Sequence, residues 1–321
     1  MPACPVPGVP DGQGVPISQA TEAAVSKSKH KAAPYPFIAC RPAPPVPDPE
    51  AAVRVAAEVN PANALPAAAA GVPLTVEMIA VLTSKYWGAG GVDLSVQFLD
   101  NPDAETRRMI LDPDIGANAW GKYGNVRFRE TSGQGDVRVA RATGQGYYSY
   151  LGTDIRGIPA GQCTMNLEQF TSKTSVSEYK RVVKHEFGHT LGFPHEHSRG
   201  AIVDLLDLNK TVAYFRQHYG WNAQTTIQQV FQRLDEASLM GTPADVTSIM
   251  TYQFDGSCTK SGRPIPGGLD IDPSDGAFCG KIYPGAVNPG GPTNPPVVTG
   301  QWQYVVSVDP ATGSATMKRT G

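Results

Sequence analysis

Four of the chain's six histidines lie within one short stretch, HEFGHTLGFPHEH, which runs from His185 to His197. On a helix, His185 and His189 are one turn apart on the same face, so both imidazoles can reach one metal ion. Gly192 can adopt the left-handed conformation that ends a helix, and the resulting turn brings His195 round as a third ligand. Three imidazoles with one open position are typical of a catalytic zinc site rather than a closed structural one.

Glu186, directly after the first histidine, predicts what the zinc would do. Zinc lowers the pKa of a bound water to about 7, so a neighbouring carboxylate can take a proton from that water. The same carboxyl group can then protonate a departing amine, which is the chemistry of peptide hydrolysis. A purely structural zinc site has no need of Glu186. By chance, this five-residue pattern is expected in roughly one chain per 100,000 of this length.

Composition limits the other functions that the chain could have. The net charge is −2 and 17% of residues are charged, so no basic field points to nucleic acid or an anionic membrane as a partner. No apolar run approaches the roughly 18 residues that a membrane-spanning helix needs. The N-terminus has neither a basic region nor an apolar core, so no signal peptide is visible. The oligomeric state is not indicated.

The organisation of the chain follows from its proline content. Residues 1–75 hold 15 of the 29 prolines and predict an arm or pro-segment with one helix, capped by Asp48. Residues 76–285 have the mixed strand and helix patterns of a folded domain. Residues 286–300 form a Pro/Gly-rich linker, and residues 301–321 alternate like a hairpin. The five cysteines are too widely spaced to predict a dense disulfide framework or a redox compartment.

Within the folded region, alternating stretches predict strands and periodic stretches predict helices. One of these helices is expected to begin after Ser175, to include the first two histidines and to end near Gly192. The strands are expected at 92–99, 126–130, 136–141, 147–152 and 164–167. Further helices are expected within 103–124, 205–220, 222–238 and 271–284.

The arrangement of His185, Glu186, His189, Gly192 and His195 resembles the motif of the metzincin zinc peptidases. The continuation GFPHEHSR is similar to the astacin family, as are the downstream sequence SIMTYQF and the possible edge strand YYSYLG. The resemblance covers roughly residues 75–285. It implies an α+β metzincin-like fold, in which a twisted, mostly parallel sheet and two long helices lie over an irregular C-terminal half.

The same resemblance implies roles for further residues. Met250 would belong to the family's Met-turn, an apolar floor beneath the metal, and Tyr252 would approach the metal or the oxyanion. The implied function is that of a zinc metalloendopeptidase with one catalytic zinc ion, acting on a peptide or protein substrate. The alternative is a non-catalytic binding or adhesion protein stabilised by zinc. The family implies secretion, whereas the lack of a visible signal peptide leaves a cytoplasmic location or non-classical export as alternatives.

Two further features have alternative interpretations. Cys40 could fill the open zinc position and keep a zymogen inactive, because coordination deprotonates a thiol, or it could be an ordinary cysteine. Asp270, Asp272 and Asp275 have a spacing that suggests calcium, but a glutamate downstream is missing. Asp272 before a proline is also typical of a helix N-cap. His197 is expected to lie at the surface or at a helix cap.

Overall fold

The structure, a computed structural model, describes residues 40–64, 84–234 and 243–285, together with the backbone of two strands near the end of the chain. Most of the proline-rich arm and the linker expected at 286–300 lie outside these residues.

Five short strands form one sheet, with β4 at its edge. In chain order the strands are β1 (Val92–Phe98), β2 (Val126–Glu130), β3 (Val137–Ala140), β4 (Tyr147–Ser149) and β5 (Met165–Leu167). Their order across the sheet is β2-β1-β3-β5-β4. Neighbouring strands are parallel except for β4, which runs antiparallel to β5. The α+β class with a mostly parallel sheet is confirmed.

Helices make up most of the remaining regular structure. They are α1 (Pro49–Val59), α2 (Ala104–Ile110), α3 (Val176–Glu178, a π-helical segment Tyr179–Val183, and Lys184–Thr190), α4 (Gly200–Val203), α5 (Leu208–Tyr219), α6 (Ala223–Thr226, continued by a π-helical turn Ile227–Phe231) and α7 (Pro273–Ile282). Near the end of the chain, β6 (Gln303–Val308) pairs antiparallel with β7 (Ala315–Thr320). None of the helices in the described ranges combines the length and the apolar surface that crossing a bilayer requires.

Side-chain caps explain where several helices begin. Asp48 accepts a hydrogen bond from the Ala51 amide at the start of α1, and Ser175 accepts one from the Glu178 amide at the start of α3. Each cap gives a partner to an amide that has none within its helix. Both caps were predicted from the sequence, so the starts of these helices are encoded locally.

The main core lies between the sheet and α3. Alternate residues of β1, Val92, Leu94 and Val96, are buried, as expected for a strand with one face on the core. Phe187 of α3 packs edge-to-face against Phe128 of β2, with 4.7 Å between the ring centroids. A second apolar cluster occupies the C-terminal half and includes ten buried residues: Cys40, Ile202, Leu206, Phe215, Trp221, Val230, Tyr252, Phe254, Cys258 and Ile265.

Aromatic side chains from distant segments hold the end of α3 in place. Trp87 Nε1 donates to the carbonyl of Thr190 at 2.9 Å, and the Tyr283 hydroxyl donates to the carbonyl of Leu191. The last carbonyls of a helix have no partner within the helix, so these two bonds satisfy groups that would otherwise be buried without one. The end of α3 therefore has a defined position relative to both halves of the domain.

Part of the N-terminal arm is packed against the domain. Helix α1 lies on a 3₁₀ turn at Gly152–Gly157, and Ala52 and Ala56 are buried there. Asn63, which is completely buried, donates to the Tyr86 carbonyl at 2.7 Å and accepts from the Tyr86 amide at 3.1 Å. Segment 49–64 thus supplies contacts that the domain would lose if the arm were removed.

We expect Gly192→Ala to destabilise the fold more than a matched change at Gly220. Both glycines have positive φ, +89° and +67°, so alanine in either place carries the backbone cost of about 1–2 kcal/mol. Only at Gly192 would the added Cβ also come within 2.9 Å of the Lys85 carbonyl oxygen, since the space around Gly220 is open. The measurement is chemical denaturation of both variants with the same zinc content. Equal losses of stability in the two variants would show that the contact between the added Cβ and the Lys85 oxygen does not destabilise the fold.

Candidate metal centre

Four side chains converge in the cleft between the two halves of the domain. The ligand atoms of Cys40, His185, His189 and His195 all lie within 4.8 Å of one another and could hold a metal ion. His185 and His189 come from α3, and His195 follows the turn at Gly192. The structure therefore brings together the three histidines that the sequence predicts, and it places Cys40, the possible fourth ligand, beside them.

Hydrogen bonds fix the position of the ring proton on two of the imidazoles, which leaves their other nitrogen free to bind a metal. His185 Nδ1 lies 2.7 Å from the carbonyl oxygen of Ile249, and His189 Nδ1 lies 2.8 Å from that of Phe193. A carbonyl can only accept, so each Nδ1 carries the ring proton and each Nε2 presents a lone pair. Within the described residues, the buried Nε2 of His185 has no hydrogen-bond partner. Such an atom is the kind of group that a metal ion would satisfy.

The spacing of the ring nitrogens also suits zinc. The Nε2 atoms of His189 and His195 are 3.0 Å apart. Two nitrogens about 2.0–2.1 Å from one zinc ion in a tetrahedral site are roughly 3.3 Å apart. Three imidazoles and one thiol form a nitrogen and sulfur donor set that zinc prefers. The residues therefore fit a zinc ion.

Burial sets the protonation of the metal-binding groups. Burial lowers the pKa of His185 to about 4, with a smaller contribution from the charge of Arg181 and against the opposing effect of the hydrogen bond to Ile249. It also holds the pKa values of His189 and His195 well below their usual range. All three rings are therefore neutral near pH 7, which is the form that binds a metal.

Glu186 and Tyr252 lie beside these ligands. Glu186 is 1% exposed, and its Oε2 lies 3.7 Å from Cys40 Sγ, which donates to it. Burial raises the pKa of Glu186 to about 8, and the hydrogen bond from the Cys40 thiol opposes this shift. The Tyr252 hydroxyl donates to the Cys40 carbonyl at 2.6 Å. Both side chains that were predicted to be catalytic thus contact the residue that covers the three histidines.

Comparison with known proteins agrees with this geometry. The sequence model of the Astacin peptidase family matches residues 84–263, more than half of the chain. The chain belongs to the astacin family. It is 32% identical to the zinc metalloproteinase nas-30 of Caenorhabditis elegans over 151 residues, which are 47% of this chain and 17% of that protein. The chain thus matches less than a fifth of this curated relative.

A solved structure supports the fold of this astacin-family domain. The structure of myroilysin is similar to it with a TM-score of 0.58 and 30% sequence identity. The match covers 63% of this chain and 97% of the myroilysin chain. The shared region is therefore the domain that carries the zinc motif.

Met250 lies beneath the metal-binding helix of the astacin-family domain. It is 4% exposed, and a Cβ added at Gly188 of α3 would lie 2.6 Å from its sulfur. The Met250 carbonyl accepts from the Glu196 amide at 3.0 Å, just after the third histidine. Glycine at position 188 therefore allows this close packing of the methionine against α3.

Asp275, on α7, supports the turn that contains Ile249 and Met250. The sequence had suggested it as a possible calcium ligand instead. Its carboxylate accepts from the Ser248 hydroxyl at 2.6 Å and from the Ile249 amide at 2.8 Å. The carbonyl of Ile249 in turn binds His185. Asp275 thus fixes the residue whose carbonyl orients the first histidine, and burial raises its own pKa to about 7. The sequence signal that could have indicated a structural role for Asp275 is its capping-box position, three residues after Asp272.

The three aspartates of the suggested calcium sequence have other partners. Asp272 caps α7 by accepting from the amides of Ser274 and Asp275. Asp270 forms ion pairs with Lys184 and Lys180. These contacts correspond to the N-cap interpretation of Asp272 rather than to a shared ion.

His197 is completely buried, and the expectation of a surface or capping histidine was wrong. Its ring lies 4.0 Å from that of Tyr252 at an interplanar angle of 30°. Its Nε2 is 3.1 Å from the Gln229 carbonyl oxygen, and its Nδ1 accepts from the Tyr252 amide at 3.4 Å. The ring thus packs behind Tyr252. The residues that surround it come from segments distant in sequence, so no local pattern could reveal its burial.

We expect the full chain to hold about one zinc ion, and His189→Ala to abolish its retention, because the variant loses one of three nitrogen ligands. The measurement is elemental analysis after dialysis without chelator. The control is His218→Ala, since His218 is exposed on α5, outside the cluster. A variant at position 189 that keeps a full equivalent of zinc would contradict the assignment.

Proposed function

We propose that this chain is a zinc-dependent endopeptidase whose catalytic domain comprises residues 76–285. The ion would be held by His185, His189 and His195. The observation that carries the proposal is the convergence of three neutral imidazoles, the buried His185 and His189 and the half-buried His195, beside a buried glutamate. Membership of the astacin family supports the same conclusion.

Zinc bound there would act as a Lewis acid toward a peptide carbonyl and would lower the pKa of an attacking water to about 7. Glu186 takes a proton from that water as it attacks, and then delivers a proton to the amine that leaves. The hydroxyl of Tyr252 donates a hydrogen bond to the carbonyl oxygen as negative charge develops on it. Met250 supports the histidines through its contact with α3.

The edge strand β4 offers a binding surface for an extended peptide substrate. Its outer edge already bonds to the N-terminal segment, since the Arg41 amide donates to the Tyr147 carbonyl at 2.6 Å. Adding a strand to a sheet edge is a common mode of peptide recognition, because main-chain bonds form with any sequence. We infer that a substrate backbone takes the place that residues 40 and 41 occupy.

The alternative, a zinc-stabilised binding or adhesion protein, has less support. In such a protein Glu186 would need a structural partner. Within the described residues its carboxylate contacts the Cys40 thiol, which belongs to the arm rather than to the domain. A buried carboxylate whose side-chain partner comes from a removable segment is better explained as a catalytic base.

We also propose that the protein acts in an oxidising compartment. Cys163 is disulfide-bonded, and disulfides persist in secreted and extracellular proteins. Secretion is also what the family resemblance implies. The disulfide is the observation on this chain that supports it.

We expect Glu186→Gln to retain zinc and fold but to lose peptidase activity by at least about 10²–10⁴-fold, because it removes the general base from the bond-breaking step. The measurement is kcat/KM on a peptide mixture, with zinc content determined on the same sample. Glu58→Gln, on the exposed side of α1, is the matched control. Near-normal turnover by the variant at position 186 would assign the base to another residue.

We propose further that the N-terminal arm, residues 1–75, keeps the enzyme latent as a zymogen. Cys40 Sγ lies with the three histidines, and the Cys40 carbonyl takes the hydrogen bond of Tyr252. Without a cation, burial raises the pKa of the Cys40 thiol, and Glu186 adds to that shift. Coordination to zinc would deprotonate the thiol outright and make it a fourth ligand. The arm therefore occupies groups that a substrate needs.

We expect Cys40→Ala to raise the activity of the full-length protein at equal zinc content. If the thiolate–zinc bond contributes at least about 1.4 kcal/mol to arm binding, the increase is at least about tenfold. Initial rates on one peptide measure it.

Cys258→Ala is the control, because Cys258 is also a buried free cysteine but lies outside the metal cluster. A protein trimmed to about residue 75 should be insensitive to the change at position 40. Its stability must be checked, since α1 and Asn63 pack on the domain. Equal rates for full-length protein with and without Cys40 would show that the arm is no inhibitor.

A further inference from the structure

The side chain of Tyr252 loses a hydrogen-bond partner when the N-terminal arm leaves the cleft. In the structure its hydroxyl donates to the Cys40 carbonyl at 2.6 Å. Cys40 belongs to the segment whose place a substrate is proposed to take. A donor stabilises an oxyanion best when it is already in position before the charge develops. Other groups must therefore hold Tyr252 in place during the reaction.

Two contacts join Tyr252 to His197. The Tyr252 amide donates to His197 Nδ1 at 3.4 Å. The two rings are 4.0 Å apart between their centroids, at an interplanar angle of 30°. Tyr252 is 2% exposed and His197 is completely buried, so both contacts are shielded from water. One imidazole thus contacts both the backbone and the ring of the tyrosine.

His197 is in turn attached to α6 by a hydrogen bond. Its Nε2 lies 3.1 Å from the carbonyl oxygen of Gln229, in the π-helical turn Ile227–Phe231 that ends α6. The last carbonyls of a helix have no partner within the helix, so this one can accept from the ring. Nε2 therefore carries the ring proton, and Nδ1 keeps the lone pair that the Tyr252 amide needs. A single neutral tautomer makes both hydrogen bonds.

Further contacts restrict the movement of His197. The Leu234 amide, which follows α6, donates to the carbonyl of Ser198 at 2.9 Å and so fixes the backbone next to the histidine. The ring of Phe254 lies 5.5 Å from the imidazole at an interplanar angle of 73°. A ring that is packed and bonded on several sides has little freedom to rotate. His197 is thus a rigid support for the residue that it contacts.

We propose that His197 is a positioning residue for peptide hydrolysis. It holds Tyr252 where the hydroxyl can donate to the developing oxyanion, and it acts from the C-terminal half without contact with the substrate. The inference rests on the proposed endopeptidase function, and it adds a residue on which the action of Tyr252 depends. Because a misplacement of about 1 Å can lower a rate about 10²-fold, a support behind Tyr252 can affect turnover strongly.

The test is a double-mutant cycle in full-length, zinc-loaded protein carrying Cys40→Ala. His197→Phe keeps an aromatic ring but removes both hydrogen bonds. With Tyr252 present, this change should lower kcat at least about tenfold, which is part of the loss of about 10²–10³ that follows removal of an oxyanion donor. KM should stay within about twofold, because the hydroxyl acts mainly in the transition state. With Tyr252→Phe, the same change should alter kcat less than about twofold, since the hydroxyl is absent.

His218→Phe is the matched control. His218 also lies against a tyrosine, Tyr214, with 4.3 Å between the ring centroids and 33° between the planes, but this pair is on α5 and outside the metal cluster. The control change should leave kcat unaltered with either residue at position 252. Zinc content and the midpoint of chemical denaturation are measured on the same samples.

Zinc content also excludes a different role for His197. Its ring lies 4.8 Å from that of His195, a proposed zinc ligand. Folded His197→Phe protein that has lost zinc would show that the residue supports this ligand rather than Tyr252, and it would overturn the inference.

A further measurement needs no variant. In zinc-loaded, full-length protein labelled with ¹⁵N in histidine, nuclear magnetic resonance near neutral pH should show His197 as the neutral tautomer with its proton on Nε2. A proton on Nδ1 would overturn the inference, because that nitrogen could not then accept from the Tyr252 amide.

The kinetic results separate this inference from the proposed function. If the protein that keeps both His197 and Tyr252 cleaves no peptide, both proposals fail. If it cleaves peptides and His197→Phe leaves kcat unchanged, or lowers it equally with Tyr252 and with Tyr252→Phe, the endopeptidase proposal stands. The inference about His197 then fails, because the residue does not act through the hydroxyl of Tyr252.

Discussion

The hydrogen bond from His185 Nδ1 to the carbonyl of Ile249 connects the two halves of the catalytic domain. Helix α3 carries the first two metal-binding histidines, whereas Ile249 lies on the turn that precedes Met250 and Tyr252. The bond sets the tautomer of the imidazole and its orientation, which decides which nitrogen faces the metal. Asp275 holds the same residue through the Ile249 amide. The orientation of one ligand therefore depends on three segments that are far apart in sequence.

Burial determines the chemistry of this site as much as the identity of its residues. The pKa values of the three ligand histidines are low because charged imidazolium is poorly solvated inside the cleft. The same environment raises the pKa of Glu186, so its carboxyl has a high affinity for protons before a cation arrives. A divalent ion changes this balance, since it favours the carboxylate and the lone pairs together. The affinity of the site for a metal and the protonation of Glu186 therefore both depend on the same low-polarity environment.

The N-terminal segment contacts the cleft through the kinds of group that a peptide substrate would use. Arg41 bonds through its backbone to the edge strand, the Cys40 carbonyl accepts from Tyr252, and the Cys40 thiol approaches the histidines. Helix α1 and Asn63 add contacts away from the cleft, where the arm packs on the domain. Attachment at a distance raises the effective concentration of the segment at the site, because the second contact becomes intramolecular. A covering segment can therefore hold the cleft closed with only a few short contacts there.

Local patterns in the sequence were sufficient for the helix starts at Asp48 and Ser175, for the strand positions and for the placement of His185 and His189 on α3. These features depend on residues within one or two turns of each other, and their spacing has direct geometric meaning. The motif with Glu186 also predicted a zinc ion and peptide hydrolysis, because few other arrangements need that set of residues.

The tertiary structure decided the features that depend on distant pairings. The burial of His197 against Tyr252 and the support of Ile249 by Asp275 each join separate segments. An aspartate at a capping position and a histidine near a metal motif look the same in sequence whether they face water or the core. Packing between the two halves of the domain resolves this ambiguity, because burial and hydrogen-bond partners are set by the relative positions of whole segments.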